Sequence, residues 1–261
     1  MCLIFLAWRR HPDYRLVVAA NRDEFYARPT APAGYWPEAP DVLAGRDLEG
    51  GGTWLGVTRT GRFAALTNYR RGDDGHIPDA PTRGRLVSDF LLSESSPGEY
   101  LQSLVEQAGT YNGFNLLVGD GESLHWFSNR GGEPLILEPG IYAVSNNLLD
   151  TPWPKVVRGK DGFQRLLKAR DIDPSAIFDL LADRQFAADE ALPDTGIGLT
   201  RERKLSPIFI AAGDYGTRSS TVLLIEGTGD VTFHERTHEP GIAGTETLTY
   251  TYPVESDREA V

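Results

Sequence analysis

An α+β fold is predicted by the order in which strand and helix patterns succeed one another along the 261 residues. Short runs rich in β-branched and aromatic residues come first, two helical patterns follow, strands resume, a further helix opens, and strands close the chain. This succession lacks the strict βαβ alternation of a doubly wound sheet. A second observation lies at the start: the single cysteine, Cys2, stands directly behind Met1 at the head of the first strand pattern. A third is composition. At 40% hydrophobic and 24% charged residues, the chain can bury a substantial core without staples.

The elements follow in order. Cys2–Trp8 and Tyr14–Ala20 flank the turn signal Pro12-Asp13 and read as a hairpin. Trp54–Val57 and Phe63–Thr67 are further strands. Leu86, Val87, Phe90 and Leu91 repeat at helical spacing. Ser96-Pro97-Gly98-Glu99 is a capping box with proline at the first helical position, and Tyr100, Leu101, Leu104, Val105 and Ala108 continue its apolar face. Strands resume at Phe114–Val118, Leu124–Phe127 and Ile141–Val144. Asp173-Pro174 opens a helix carrying Ile177, Phe178, Leu180 and Leu181. Ile208–Ala211, Thr221–Ile225, Val231–His234 and Leu248–Tyr252 complete the strands, and 183–203 is the most loop-like stretch. No repeat or linker divides the chain, so one domain over 1–261 is expected.

Composition narrows the function. A formal charge of −11 opposes nucleic-acid binding. One cysteine allows no internal disulfide. The apolar run Leu3–Trp8 is too short for a signal segment, and nothing approaches the ~20 apolar residues of a membrane helix. A cytoplasmic protein without a membrane span is expected. Arg59, Arg62, Arg70, Arg71, Arg83 and Arg85 crowd one stretch; a solvated face is the plainer reading, an anion-binding surface the minority one.

Removal of Met1 would leave Cys2 with a thiol and an α-amine on one residue, with ordinary pKa values of about 8.5 and about 7.7–8.0. Such an amine can act as base on its own side chain. The plainer role is a small buried hydrophobe. Asn21-Arg22-Asp23-Glu24 follows the second strand, and the hairpin returns it beside Cys2, where Asp23 can accept a hydrogen bond from the Cys2 amine. Asn68 and Asn146 each end a strand, as turn residues or as donors to an oxyanion. Arg218 lies where Tyr215–Ser220 leads into an apolar strand. Gly50-Gly51-Gly52-Thr53 lacks the ending of a phosphate loop and reads as a flexible turn. His234 and His238 lack the further ligands of a zinc site, so no metal is expected, and no Ser lies in a Gly-x-Ser-x-Gly elbow.

Met1-Cys2-Leu3-Ile4-Phe5, Ala19–Pro29, Gly51–Gly56, Ala65–Tyr69, Tyr111–Asn115, Ser145–Pro154 and Tyr215–Arg218, taken together, resemble the NRDE family, also called the transport and Golgi organisation protein family. Its name matches Asn21–Glu24. More distantly, the pattern resembles N-terminal-nucleophile hydrolases of the penicillin V acylase and bile-salt hydrolase group. That resemblance implies a four-layer αββα sandwich with Cys2 as nucleophile on a central strand. It places Asp23 on the carboxylate that holds the amine, Asn68 and Asn146 near oxyanion and amine contacts, and Arg218 near the thiol. The distant pattern's arginine is displaced here, and Arg22 substitutes only if it is presented inward. Arg22, Asn21, Trp54 and Tyr69 are expected to contact substrate.

Two functions follow. One is an amidohydrolase, without cofactor, acting on a linear non-peptide acyl amide. The other is a carrier or chaperone for haem or an acyl thioester or lipid, serving secretory or lipid homeostasis as in relatives, with Trp8, Trp36, Trp54, Trp126 and Trp153 as candidate pocket walls. Core packing is the plainer role for most of these tryptophans.

Overall fold

A computed structural model describes residues 2–72, 75–239 and 246–254. The chain opens with β1 (Cys2–Trp8), β2 (Tyr14–Phe25), β3 (Thr30–Trp36), β4 (Ala39–Asp47), β5 (Leu55–Thr58) and β6 (Phe63–Asn68). Helices α1 (Gly84–Leu92) and α2 (Pro97–Val105) precede β7 (Phe114–Gly119), β8 (Leu124–Ser128), β9 (Leu135–Ile136) and β10 (Gly140–Val144). Then come α3 (Pro154–Leu166), α4 (Pro174–Leu181), α5 (Leu199–Lys204), β11 (Ala211–Ala212), β12 (Tyr215–Glu226), β13 (Asp230–Thr237) and β14 (Thr247–Pro253).

The strands make two antiparallel sheets. One runs β10-β1-β2-β12-β13-β14 with β11 beside β12; the other runs β3 through β9 in chain order. Side chains alternate across a strand, and on β1 both faces are buried. Cys2, Ile4, Leu6 and Trp8 meet Leu43, Leu55, Val57 and Phe63 of the second sheet. Leu3, Phe5 and Ala7 meet Trp153, Val156, Phe163, Ile177 and Phe178 of the α3/α4 region. On the far side, α1 and α2 bury Leu86, Phe90, Leu101 and Leu104 against Ala64, Leu116 and Val118. The layer order is helix, sheet, sheet, helix: the expected αββα sandwich. Burial on both faces is why β1 reads as an unbroken apolar run.

Capping and turn signals are realised. Ser96 and Glu99 form the reciprocal box at α2, and the Asp173 carboxylate accepts the Ser175 N–H at 2.8 Å to open α4. Among the described residues no helix is long and apolar enough to cross a membrane.

The departures have local causes. β3 and β4 do not announce themselves because prolines punctuate them. Pro32 sits where the register of the edge strand β3 shifts, a position that needs no ladder donor. α3 carries Gly159 and Gly162, which read as breakers. A Cβ at Gly159 would lie 2.1 Å from the Phe5 ring, so this glycine is what lets α3 lie close on β1. The expected strand Ile208–Ala211 shrinks to Ala211–Ala212. Its neighbours bond elsewhere: the Ile208 carbonyl accepts Asn21 Nδ2, and the Ile210 N–H donates to Thr217 Oγ1. The Gly50–Gly52 turn, expected to be loose, is packed against the start of α1, for a Cβ at Gly52 would stand 2.4 Å from the Gly84 carbonyl carbon.

Candidate active site

β2 runs on through Phe25, so Asn21–Glu24 lie within the strand and not beyond its end. Cys2 pairs with Arg22, Arg22 with Ser219, and Ser219 with Thr237. Directly paired residues share a face, so these four form one rung across β1, β2, β12 and β13. All four line a cavity of about 890 Å³ between the two sheets. Gly45, Trp54, Leu66 and Asn68 of the second sheet region line it too, and 76–84 supplies another side.

Cys2 is 7% exposed. Burial pushes its thiol above the ordinary range and the Asp23 carboxylate pushes the same way, while Arg22 and the Asp23 backbone N–H favour the thiolate. Burial wins, so the resting thiol is protonated and needs a base to become a nucleophile. Arg22 is presented inward, onto the cavity. It is 9% exposed.

Asp23 faces the helical layer, one residue out of phase with Arg22. Its Oδ1 accepts Thr217 Oγ1 at 2.7 Å, and its carbonyl accepts the Tyr215 hydroxyl at 3.0 Å. Burial pushes its carboxyl up, opposed chiefly by Lys155. Lys155, 2% exposed in the first turn of α3, donates to the Leu205 carbonyl at 3.2 Å. Burial draws its pKa down to about 8, against the pull of Asp23. Beyond it lies the buried pair Arg70–Glu202 at 2.8 Å, with the Arg70 guanidinium 4.5 Å over Trp153. Glu202 Oε1 also takes the Thr195 N–H and hydroxyl, which ties 183–203 to the end of β6.

The remaining expected residues separate. Asn68 and Trp54 line the cavity. Asn146 is fully buried and acts on Asn68 from behind, its Nδ2 donating to the Asn68 carbonyl at 2.9 Å. Asn21 turns to the helical side, donating to the carbonyls of Leu181 and Ile208 and accepting from Ser220. Tyr69 is half-buried, its N–H held by the Gly113 carbonyl, and it does not line the cavity. Arg218 reaches the wall, yet its guanidinium is committed to the carbonyls of Phe25, Tyr26 and Arg28 and to Thr30 Oγ1. Arg22, paired with Cys2, is the arginine that acts on the thiol. The arginine-rich stretch does not form one face: Arg59 stacks on Tyr35, Arg62 is tethered to the Phe90 and Ser95 carbonyls, Arg70 is buried, and Arg83 lines the cavity. Of the five tryptophans, all buried, only Trp54 lines it.

Sequence reasoning missed Lys155 and Glu235. Glu235 had a signal: Val231, Phe233 and Glu235 alternate on one face, which puts a carboxylate on the core side. It is 3% exposed and accepts the Ala33 N–H at 2.6 Å. Lys155 had none, because α3 itself was not apparent.

The family pattern described as Transport and Golgi organisation 2 matches residues 1–240. The chain belongs to this family. It is 36% identical to the mouse (Mus musculus) Transport and Golgi organization 2 homolog, over 98% of this chain and 100% of that one. The cattle (Bos taurus) homolog is 40% identical over 90% and 92%, and the Drosophila melanogaster protein 30% identical over 91% and 92%. Among solved structures, the Caenorhabditis elegans ortholog of N-acylethanolamine-hydrolyzing acid amidase covers 85% of this chain and 92% of its own, at 10% identity and a TM-score of 0.49. A C2A mutant of the Clostridium perfringens conjugated bile acid hydrolase covers 97% of both, with the same identity and score. The αββα assignment stands on the packing of the layers themselves.

Proposed function

We propose that this family member is an N-terminal-cysteine amidohydrolase acting on linear, non-peptide acyl amides. The observation that carries the reading is the placement of Cys2: a lone thiol opening on a large inter-sheet cavity, with Arg22 beside it and Asp23 buried behind. The buried, protonated thiol needs a base, and its own α-amine, freed by removal of Met1, is the nearest candidate. Met1 lies outside the described residues. In the reaction the thiol proton passes to that amine, Sγ bonds to the substrate carbonyl carbon, and the π pair moves onto oxygen. Asn68, held from behind by Asn146, donates to that oxyanion. Collapse breaks the C–N bond, and the α-ammonium protonates the departing amine. Water, deprotonated by the same α-amine, then cleaves the thioester on Cys2, releasing the acid and restoring the thiol. Asp23, countered by Lys155, accepts from and orients the amine.

Cys2→Ser should abolish turnover of acyl amides in the purified protein. Full activity in that variant sinks the nucleophile assignment. Intact mass decides the other requirement, since retention of Met1 is incompatible with a free Cys2 amine. A carrier would keep its ligand in Cys2→Ser and show no Cys2-dependent turnover at all.

A further inference from the structure

The amidase reading uses the charge of one cavity-lining group on the thiol but gives its donors nothing to bind. Arg22 is nine-tenths buried, and a guanidinium does not shed its proton in a protein. Buried charges are ordinarily paired. Yet among the described residues the Arg22 side chain makes no hydrogen bond and has no carboxylate within ion-pair distance, its backbone alone being held in the ladder. The other arginines of the wall are committed. Arg28 binds Asp47 and Glu49, Arg46 binds Glu38, Arg83 donates to the Gly113 carbonyl, and Arg218 holds the carbonyls after β2. Glu235, the carboxylate that acts on Arg22 from β13, is already engaged by the Ala33 N–H and by Ser219.

We infer that Arg22 is a receptor for a carboxylate carried by the ligand immediately beside the carbon that faces Cys2. Three features define the chemistry. The rung places Arg22 one strand spacing, about 4.8 Å, from Cys2 on the same face, so the acid and the reacting carbon are separated by only a few bonds. The planar fork of a guanidinium matches a carboxylate bidentately. Glu24, Asp47, Glu235 and Glu239 also line the cavity, and their charge favours a monoanion over a dianion such as phosphate. The site needs no turnover. Where the amidase reading holds, it makes the substrate an amide bearing an acid close to its carbonyl.

Iodoacetate and iodoacetamide test this directly, because they differ in the carboxylate alone and the chain has one cysteine to label. Each forms the same bond, Sγ displacing iodide, so the thiolate fraction cancels in the ratio of their rates. The folded protein should favour iodoacetate about tenfold more than the same chain unfolded in urea does, with saturation in iodoacetate only. Arg22→Gln should return the ratio to within about twofold of the unfolded value, Arg22→Lys should keep part of the preference, and Arg83→Gln should leave it in place. A wild-type ratio no higher than that of the unfolded chain overturns the inference, as does a preference that Arg83→Gln removes and Arg22→Gln does not. Should Arg22→Gln fail to fold, the wild-type ratio and Arg22→Lys decide. Alkylation proceeds whether or not Cys2 cleaves amides, so this outcome is separate from that of the hydrolysis assay.

Discussion

The two faces of β2 make opposite use of one tetrapeptide. Toward the helices, the Asn21 and Asp23 side chains are buried and engaged: Asn21 by two carbonyls and Ser220, Asp23 by Thr217 with Lys155 as counter-charge. Toward the second sheet, Arg22 and Glu24 border open volume. The first arrangement resembles a structural network that specifies how the helical layer docks; the second leaves charge available for something that enters. Alternation along the strand keeps the two apart, so substitutions at neighbouring positions should act on different properties.

The sharpest break between the faces should come from Asp23→Asn. It leaves Lys155 buried without its counter-charge, a loss on the order of 3 kcal/mol, read as a fall in the urea midpoint. Glu24→Gln should stay within about 0.5 kcal/mol. Equal effects from the two would mean that the faces are not distinct.

Asn21→Leu comes next. It strands the carbonyls of Leu181 and Ile208 and the Ser220 hydroxyl, and should cost about 2–3 kcal/mol without altering the rate of Cys2 alkylation. A change in alkylation rate at unchanged stability would place Asn21 with the site instead.

A smaller effect is set by pH. The Ser220 hydroxyl gives its one proton to Asn21, so His238 Nε2, 2.9 Å away, is assigned as the donor to Ser220. Burial, reinforced by the charges of Arg236 and Arg184, lowers the His238 pKa from 6.5 to about 4. The unfolded chain therefore takes up this proton first as pH falls. The stability contributed is complete above pH 6.5 and is lost between there and about 4. Melting temperatures at pH 7 and pH 5 should differ less in His238→Gln than in the parent; an unchanged difference removes His238 from the account.

Least is expected of Arg22→Gln. Among the described residues the guanidinium holds no hydrogen bond or ion pair, and Glu235, the carboxylate it acts on, keeps the Ala33 N–H, so stability should change by less than about 1 kcal/mol. A large loss would move Arg22 to the structural side of the comparison.

Much of this was legible beforehand because it depends on nearest neighbours. The β1/β2 hairpin, the capping box at Ser96 and the Asp173-Pro174 helix start are short-range signals, and alternation alone puts Asn21 with Asp23 and Arg22 with Glu24. Segments that defeat local reading do so for tertiary reasons. Gly159 resembles a helix breaker until Phe5 is packed against it, and Ile208–Ile210 resembles a strand until Asn21 and Thr217 take its backbone groups.

The sequence by itself determined the α+β order, the single thiol beside the start of the first strand, and the pairing that returns Arg22 and Asp23 to it. Hydrophobic period and turn chemistry act within a few residues, and those are written in the chain. Only the tertiary structure decided which arginine stands beside Cys2, that Arg218 is spent on backbone carbonyls, and that Lys155 and Glu235 join the site from α3 and β13. Charges brought together from distant segments are placed by the packing of whole layers. Their desolvation and pairing exist only once those layers have met.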